Sequence, residues 1–296
     1  MGSMTIRLPM KTSSIRALNK RREAMTKSIR HIVVSFGVLL IVWQLAGVIF
    51  QWNTALFPTP VKTFTAWGEL VTVGLKGSSS GTVLTGHILV SLGRFIAGYL
   101  LSAAIGIILG LILGWHPGIF AYVNPIIQLV RPIAPVAWMP FIVLFAGVGN
   151  APAIVIIFLA GFFPVLLSTV SAVSGVEPVY LKLAANLGMS GKKTLMTIVF
   201  PAAFPQIANS LHLALGTAWI FLVSGEMVGA QSGLGFLVMD AKNCIRTDAL
   251  LAVILTIGII GLLLDLGIRI LEKQTAKWFG LGSPQMLQDN EGGKEE

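Results

Sequence analysis

The sequence has little charge and almost no cysteine. Charged side chains make up 11% of its 296 residues, whereas a soluble globular chain carries about 25%. The 55% hydrophobic content and the mean hydropathy of +0.83 leave too little polar surface to cover a soluble globule, so composition predicts a membrane protein. The single cysteine, Cys244, excludes an intramolecular disulfide and any metal site built from several cysteines. The four histidines are scattered without metal-ligand spacing, so we expect no metal site.

The long apolar segments predict transmembrane helices. A spanning segment must satisfy its own backbone hydrogen bonds, which only helices and closed barrels achieve. The runs here are continuous and lack the alternation of barrel strands. A helix needs about 20 apolar residues to cross a bilayer, and the segments that qualify lie at about 32–50, 87–113, 119–145, 151–173, 207–230 and 249–271. The predicted fold is an all-α polytopic membrane protein with about six transmembrane helices and an interfacial helix near 61–71.

The positive charges predict the orientation of the chain. Eight Lys and Arg residues precede residue 31, and such basic segments stay on the cytoplasmic side of a membrane. Six spans then place both termini in the cytoplasm, together with the polar segment at about 174–205. We predict three regions: a basic cytoplasmic tail at 1–31, a transmembrane domain at 32–273 and a cytoplasmic tail at 274–296. This distribution indicates that the net charge of +9 serves contact with membrane lipid and not with nucleic acid.

Small residues recur at every fourth position of the second span. They are Gly98, Ser102, Gly106, Gly110 and Gly114. Such a stripe lets two helices approach closely in a membrane, so we expect this face to pack against another helix. The alternative is a flexible, glycine-rich helix without a specified partner.

Prolines interrupt the third span. Pro132, Pro135 and Pro140 fall within nine residues, and each removes a backbone hydrogen-bond donor from a helix. Broken backbone at membrane depth is tolerated only where protein buries it or where it lines a wet cavity. The third span is therefore predicted to contain an irregular segment with one of these two surroundings.

Four ionisable side chains fall inside predicted spans, where a charge is costly and is a functional hypothesis by default. They are Arg94, Arg131, Glu226 and Asp265. Arg131 either presents its charge to an anion, or pairs with Glu226 or caps carbonyls of the broken helix. Arg94 is expected to snorkel toward the membrane surface. Asp265 is expected to pair with Arg269 one turn further on, while His212 is interpreted as a packing residue.

The predicted cytoplasmic segment carries a recognisable pattern. Gly188 is followed by nine residues and then by Ile198-Val199-Phe200-Pro201. This spacing resembles the signature loop of bacterial ABC importer permeases, in which an acidic-Ala-Ala triplet precedes a glycine and Ile-x-Leu-Pro follows. The triplet reads Lys182-Leu183-Ala184 here, with Ala185 beside it, so the acid is missing.

Flanking motifs narrow the resemblance to one branch of these permeases. The motifs are Arg131-Pro132…Pro135…Trp138…Pro140, Gly216…Trp219…Glu226 and Gly233-Leu234-Gly235-Phe236. They are similar to the nitrate, taurine, alkanesulfonate and bicarbonate permeases, which have a MetI-like fold. The resemblance implies a subunit of the bacterial inner membrane that forms the translocation pathway for a small anion or organosulfonate.

The resemblance also implies partners and roles for particular residues. Two copies of the permease would pair with two ATP-binding subunits, and a periplasmic or lipid-anchored binding protein would deliver the substrate. A helix–turn–helix would dock on the ATPase through Lys182, Leu183, Ala184, Ala185, Gly188, Ile198 and Pro201. The candidate pathway residues are Arg131, Pro135, Trp138, Trp219 and Glu226, although both tryptophans fit simple packing between helices as well.

The chain has no nucleotide-binding motif of its own. Gly188, Gly191 and Lys192-Lys193-Thr194 fail the spacing of a phosphate-binding loop. We therefore expect a transport subunit without catalytic residues or cofactors, with ATP and Mg²⁺ bound by the partner ATPase. Three alternatives stay open: the same type of importer for a thiamine-precursor pyrimidine or an aromatic acid, an ion-coupled secondary transporter or channel, and a membrane scaffold.

Overall fold

The computed structural model describes residues 30–31, 34–35, 37–47, 49, 57–78 and 81–278, and these residues form helices and turns without a β-strand. The chain divides into two compact units, Met1–Thr65 and Ala66–Glu296. The first unit contains an apolar helix, Gly37–Gly47 (α1), and the beginning of α2. The second unit contains the features described below.

Ten further α-helices follow α1. Their bounds are Pro60–Thr72 (α2), Leu84–Trp115 (α3), Pro117–Val130 (α4), Met139–Ala146 (α5), Asn150–Ser174 (α6), Pro178–Asn186 (α7), Gly191–Thr194 (α8), Phe200–Gly229 (α9), Leu234–Asn243 (α10) and Thr247–Trp278 (α11). A 3₁₀ turn at Pro135–Trp138 precedes α5, and a π-helical segment at Leu195–Val199 joins α8 to α9. The helix predicted near 61–71 corresponds to α2.

The structure confirms the predicted all-α membrane fold. Four described helices are long and apolar enough to cross a membrane: Leu84–Trp115, Asn150–Ser174, Gly191–Gly229 and Thr247–Ile270. The pair α4 and α5, bent by 83°, counts as a fifth span. The first predicted span, 32–50, lies partly outside the described residues. The two predicted tails, 1–31 and 274–296, lie almost entirely outside them. Helix α11 continues to Trp278, past the predicted boundary at 273.

The stripe of small residues on α3 packs directly against α6. A Cβ added to Gly98 would lie 2.7 Å from the Cβ of Ile157, and one added to Gly114 would lie 2.7 Å from the Cβ of Val173. The contacts advance along both helices in the same direction, so α3 and α6 are parallel. The predicted close packing is confirmed, and the helix that the stripe contacts belongs to the same chain.

Helix α9 runs opposite to α6 and to α11. Its carboxyl end meets the start of α6, because Gly225 faces Ala153. Near its middle, the indole N–H of Trp219 donates to the carbonyl of Ile257 on α11 at 3.3 Å. Helices α3, α6 and α11 therefore share one direction and α9 has the other, as alternating spans require.

The start of the fifth span differs from the prediction. The predicted span begins at about residue 207, whereas one continuous helical run extends from Gly191 to Gly229, with Pro201 in the first turn of α9. Within the π-helical segment, the N–H of Phe200 donates to the carbonyl of Leu195, five residues earlier. Proline lacks an N–H and its ring crowds the preceding turn. The wider π turn lies directly before Pro201, so the helix continues through this position.

Candidate functional site

The predicted break in the third span is present between α4 and α5. Helix α4 ends at Val130, and the chain turns through 131–134 before the 3₁₀ turn begins. Pro135 and Pro140 occupy the first turns of the 3₁₀ segment and of α5, where a missing N–H costs no helical hydrogen bond. The prolines therefore divide the span into two short helices, which explains the 83° bend.

A cavity of about 160 Å³ lies beside this break. Three of the five candidate pathway residues line it: Arg131, Pro135 and Trp138. The rest of its wall is Ile133 next to the break, Leu159, Ala160, Phe163 and Pro164 of α6, and Thr217 and Phe221 of α9. The structure thus brings the broken backbone and one intramembrane cation to the same cavity.

Trp219 does not line this cavity. Its side chain is buried, and its ring meets that of Phe95 edge to face with the centroids 5.4 Å apart. A Cβ on Gly261 would lie 2.8 Å from the indole nitrogen. Of the two roles left open for Trp219, the structure shows packing between helices.

Glu226 also lies away from the cavity, in a buried ion pair with Arg94. The two side chains are 0% and 4% exposed, and Arg94 Nη1 lies 2.7 Å from Glu226 Oε1. Ser91 donates to the same carboxylate, and the N–H of Gly235 donates to Oε2 at 3.0 Å. The remaining guanidinium hydrogens of Arg94 go to the side chain of Asn150 and to Ser232.

Two expectations are corrected by this pairing. Arg131 does not pair with Glu226, and Arg94 does not snorkel to the surface. The physical reason is the antiparallel arrangement of α3 and α9, which brings the beginning of α3 to the end of α9. Arg94 is therefore level with Glu226, whereas Arg131 lies at a helix break elsewhere.

The Gly-Leu-Gly motif after α9 fits around the buried carboxylate. Gly233 has a φ of +107°, and a Cβ there would collide with the carboxylate of Glu226. A Cβ on Gly235 would meet the side chain of Glu226 at 2.7 Å. Both glycines are therefore required by close approach of the turn to Glu226, and the φ of Gly233 also favours glycine.

The residues assigned to the docking loop lie on α7, in the turn that follows it, in the π-helical segment and at the start of α9. Helix α7 holds Lys182, Leu183, Ala184 and Ala185, the following turn holds Gly188, the π segment holds Ile198 and the start of α9 holds Pro201. Ala184 is buried, and its carbonyl accepts the N–H of Met189 at 3.0 Å. Gly188 has a φ of +64° with open space around it, so its backbone conformation selects glycine.

Helix α7 also presents apolar side chains to its surroundings. Val179, Leu183 and Leu187 are each more than half exposed. The predicted succession of short helix, turn and helix is thus present, and its outer face is apolar. That this face contacts an ATPase stays a prediction.

A second charged cluster joins α9 to α11, and the sequence analysis identified only part of it. Asp265 and Arg269 form the predicted pair, with Arg269 Nε 2.8 Å from Asp265 Oδ2. His212 Nε2 lies 2.8 Å from Asp265 Oδ1, and His212 Nδ1 lies 3.2 Å from Glu272. His212, predicted to be a packing residue, therefore links two carboxylates. The missed signal was the antiparallel order of the fifth and sixth spans, which places the beginning of the fifth beside the end of the sixth.

Residues 102–277 match the family described as binding-protein-dependent transport system inner membrane component. The chain belongs to this family. It is a membrane-spanning permease subunit of the ABC importer class, as the resemblance implied. Family membership argues against a secondary transporter and against a scaffold.

The chain is similar to several permeases, some of which are named for the substrate they transport. A putative ABC transporter permease of Methanocaldococcus jannaschii is 37% identical over 206 residues, covering 69% of this chain and 76% of the relative. The taurine transport system permease of Escherichia coli is 33% identical over 254 residues, covering 85% and 91%. The nitrate import permease of Synechococcus elongatus is 29% identical over 266 residues, covering 89% and 94%.

A solved structure shows the same fold. The methionine ABC transporter MetNI, in an inward-facing conformation, matches with a TM-score of 0.55 and 18% sequence identity. The match covers 66% of this chain and 95% of the solved chain. It confirms the predicted MetI-like fold.

Proposed function

We propose that this permease imports a small anion of the taurine, alkanesulfonate, nitrate or bicarbonate class. The observation that carries the proposal is the extent of the match to the taurine permease of Escherichia coli, which covers 91% of that protein. A nitrate permease and a bicarbonate permease match as well. The cavity at the helix break supports an anionic cargo, because an arginine lines it and no carboxylate does.

The importer would contain two copies of this chain, two ATP-binding subunits and a periplasmic or lipid-anchored binding protein. ATP and Mg²⁺ would bind to the ATPase, because the described part of this chain contains no phosphate-binding loop. The exposed apolar face of α7 is suited to burial against such a partner. Lys182, in place of the family's acidic residue, implies that the contact in this importer has a different charge.

A continuous helix connects the docking loop to the membrane-spanning part of the chain. The run Gly191–Gly229 begins in the loop and continues without interruption to the level of Glu226. ATP-driven closure of the ATPases would shift α7 and the beginning of this run. The long helix would then carry the displacement past the cavity, since Thr217 and Phe221 belong to it.

The orientation proposed for the chain places both termini in the cytoplasm of a bacterial cell, with the permease in the inner membrane. The eight cations before residue 31 support this orientation. The shared direction of α3, α6 and α11, with α9 opposite, is compatible with it. Under this arrangement α7 faces the cytoplasm, where ATP is available.

Uptake into proteoliposomes tests the function. The vesicles would contain this chain, its ATPase and its binding protein, with nitrate, taurine, an alkanesulfonate or bicarbonate outside and ATP inside or absent. We expect ATP-dependent uptake of one of these anions. Binding-protein-stimulated ATP hydrolysis without uptake of any of them would overturn the anion class. Uptake by this chain alone, driven by an ion gradient, would overturn the ABC importer assignment.

A further inference from the structure

Arg131 differs from the other arginines of the described segment 81–278. Arg94, Arg246 and Arg269 each have a carboxylate oxygen within 2.7 to 2.9 Å. The guanidinium of Arg131 forms no hydrogen bond or ion pair with any residue that the structure describes. A charge at a broken membrane helix is costly and is retained when it serves a ligand or a partner. Arg131 therefore lacks a counter-ion among the residues that the structure describes.

The cavity beside Arg131 offers hydrogen-bond donors and no competing anion. The indole N–H of Trp138 has no acceptor among the described residues. The hydroxyl of Thr217 donates to the carbonyl of Ala214 at 3.0 Å, so its proton is already used. No Asp or Glu lines the cavity. The free donors are thus a guanidinium and an indole, and both prefer an anionic oxygen.

The walls of the cavity set the size and shape of the ligand. Phe163, Pro164 and Phe221 make most of the wall apolar, which lowers the local dielectric and strengthens attraction to Arg131. The volume of about 160 Å³ is well below the roughly 300–1,000 Å³ of sites for drug-sized molecules. A small oxyanion with at most a short apolar body fits these properties.

We infer that the cavity at the α4–α5 break is a binding site for a small monovalent oxyanion, with Arg131 as its counter-charge and Trp138 as a second donor. The inference rests on the proposed function, because it places this site on the route of the cargo. Arg131 is exposed and supplies the only charge in the cavity wall. Binding is consequently weak, as passage through a membrane protein requires.

Chemical protection of Arg131 tests the site without requiring transport. The purified importer complex would be treated with phenylglyoxal, which modifies accessible guanidinium groups, and modification of each arginine would be followed by mass spectrometry. Nitrate or methanesulfonate at about 50 mM is expected to slow modification of Arg131 several-fold relative to gluconate at equal ionic strength, because the hydroxyl groups of gluconate would lose their hydration against the mostly apolar wall. Arg269, which lies outside it, is the internal control. Equal rates in all three salts would overturn the site.

Substitution links the site to transport. Arg131→Gln is expected to reduce ATP-driven uptake about tenfold while assembly and binding-protein-stimulated ATP hydrolysis stay within twofold of wild type, and Arg131→Lys is expected to restore part of the uptake. Arg269→Gln is the matched control. Loss of assembly in Arg131→Gln would assign Arg131 to a subunit contact and overturn the inference. Uptake of none of the anions by the wild-type importer, with protection of Arg131 still observed, would overturn the proposed function and leave the site standing.

Discussion

Arg94 and Glu226 form an ion pair that is almost completely removed from solvent, with 2.7 Å between Nη1 and Oε1. The pair joins α3 to α9, and its remaining hydrogen bonds extend to the start of α6 and to the turn before α10. One ion pair thus fixes four elements at the end of the bundle where α3 begins. Removal of one partner from a buried pair of this kind leaves the other charge without compensation, so the pair is sensitive to single substitutions.

Breaking this pair from one side should destabilise the permease strongly. Arg94→Ala or Glu226→Ala leaves a buried charge without its partner, which costs about 3–5 kcal/mol. The double variant should lose much less than the sum of the two single losses, because the two residues are coupled. The apparent Tm of the protein in detergent, followed by size-exclusion chromatography after heating, measures all three variants. Additive losses would show that the residues act independently.

The contact between α3 and α6 can be tested with two glycines of the same helix. Gly98→Ala would place a Cβ 2.7 Å from the Cβ of Ile157 and 2.9 Å from the carbonyl oxygen of Ile154. Overpacking of this kind costs about 1–3 kcal/mol. Gly93→Ala is the matched control, because nothing lies within 4 Å of its added Cβ. We expect a lower Tm only for Gly98→Ala, and equal effects of the two substitutions would contradict the close approach of the helices.

The turn after α7 should be sensitive to any residue with a Cβ. Gly188→Val forces a β-branched residue to a φ of +64°, a conformation that costs roughly 1–2 kcal/mol or more. We expect reduced co-purification of the ATPase with normal insertion into the membrane. Gly118→Val is a suitable control, since Gly118 has no positive φ and open space around it. Unchanged recovery of the ATPase with Gly188→Val would count against the docking role of this loop.

An ion pair outside the spans gives the stability a predictable pH dependence. A hydrogen bond from Arg246, at 3.1 Å, holds the pKa of Glu69 below its ordinary value of 4.5. A lowered carboxyl pKa stabilises the fold above the ordinary value, and this stabilisation is lost as the pH falls through the lowered pKa. Because Glu69 is partly exposed, the contribution is at most about 1 kcal/mol.

Glu69→Gln tests this dependence directly. The variant should melt below wild type at pH 7, and the difference should shrink steadily as the pH is lowered from 5 to 3. Thermal unfolding at several pH values measures it, with Glu177→Gln as a control at an exposed position whose side chain forms no ion pair with the described residues. A difference that grows on acidification would reverse the predicted sign.

The sequence was sufficient for features that depend on local chemistry. The small-residue stripe from Gly98 to Gly114 and the prolines from Pro132 to Pro140 each act through backbone geometry, so their consequences are readable from spacing. The turn at Gly188 belongs to the same group. In each case the local backbone geometry or the close contact restricts the position to one type of residue.

Pairings between distant helices were harder to predict. Glu226 had two available cations, Arg94 and Arg131, and only the relative height of the helices decides between them. The helix that contains the fifth span also begins before residue 207, at Gly191, because the π-helical segment joins α8 to α9 without a break. These outcomes depend on how helices bend and align, and spacing within one segment does not contain that information.

His212 provides a final test of how α9 is held to α11. Both of its ring nitrogens face carboxylate oxygens, those of Asp265 and Glu272, and both contacts are hydrogen bonds only when both nitrogens carry protons. His212→Phe keeps an aromatic ring, of somewhat larger size, and removes both nitrogens, so two carboxylates lose a shared partner. We expect faster hydrogen–deuterium exchange in the segment 265–272, with little change in α3. His116→Phe, at an exposed position on a different part of the chain, is the control, and unchanged exchange in 265–272 would show that the contacts of His212 do not hold this part of α11.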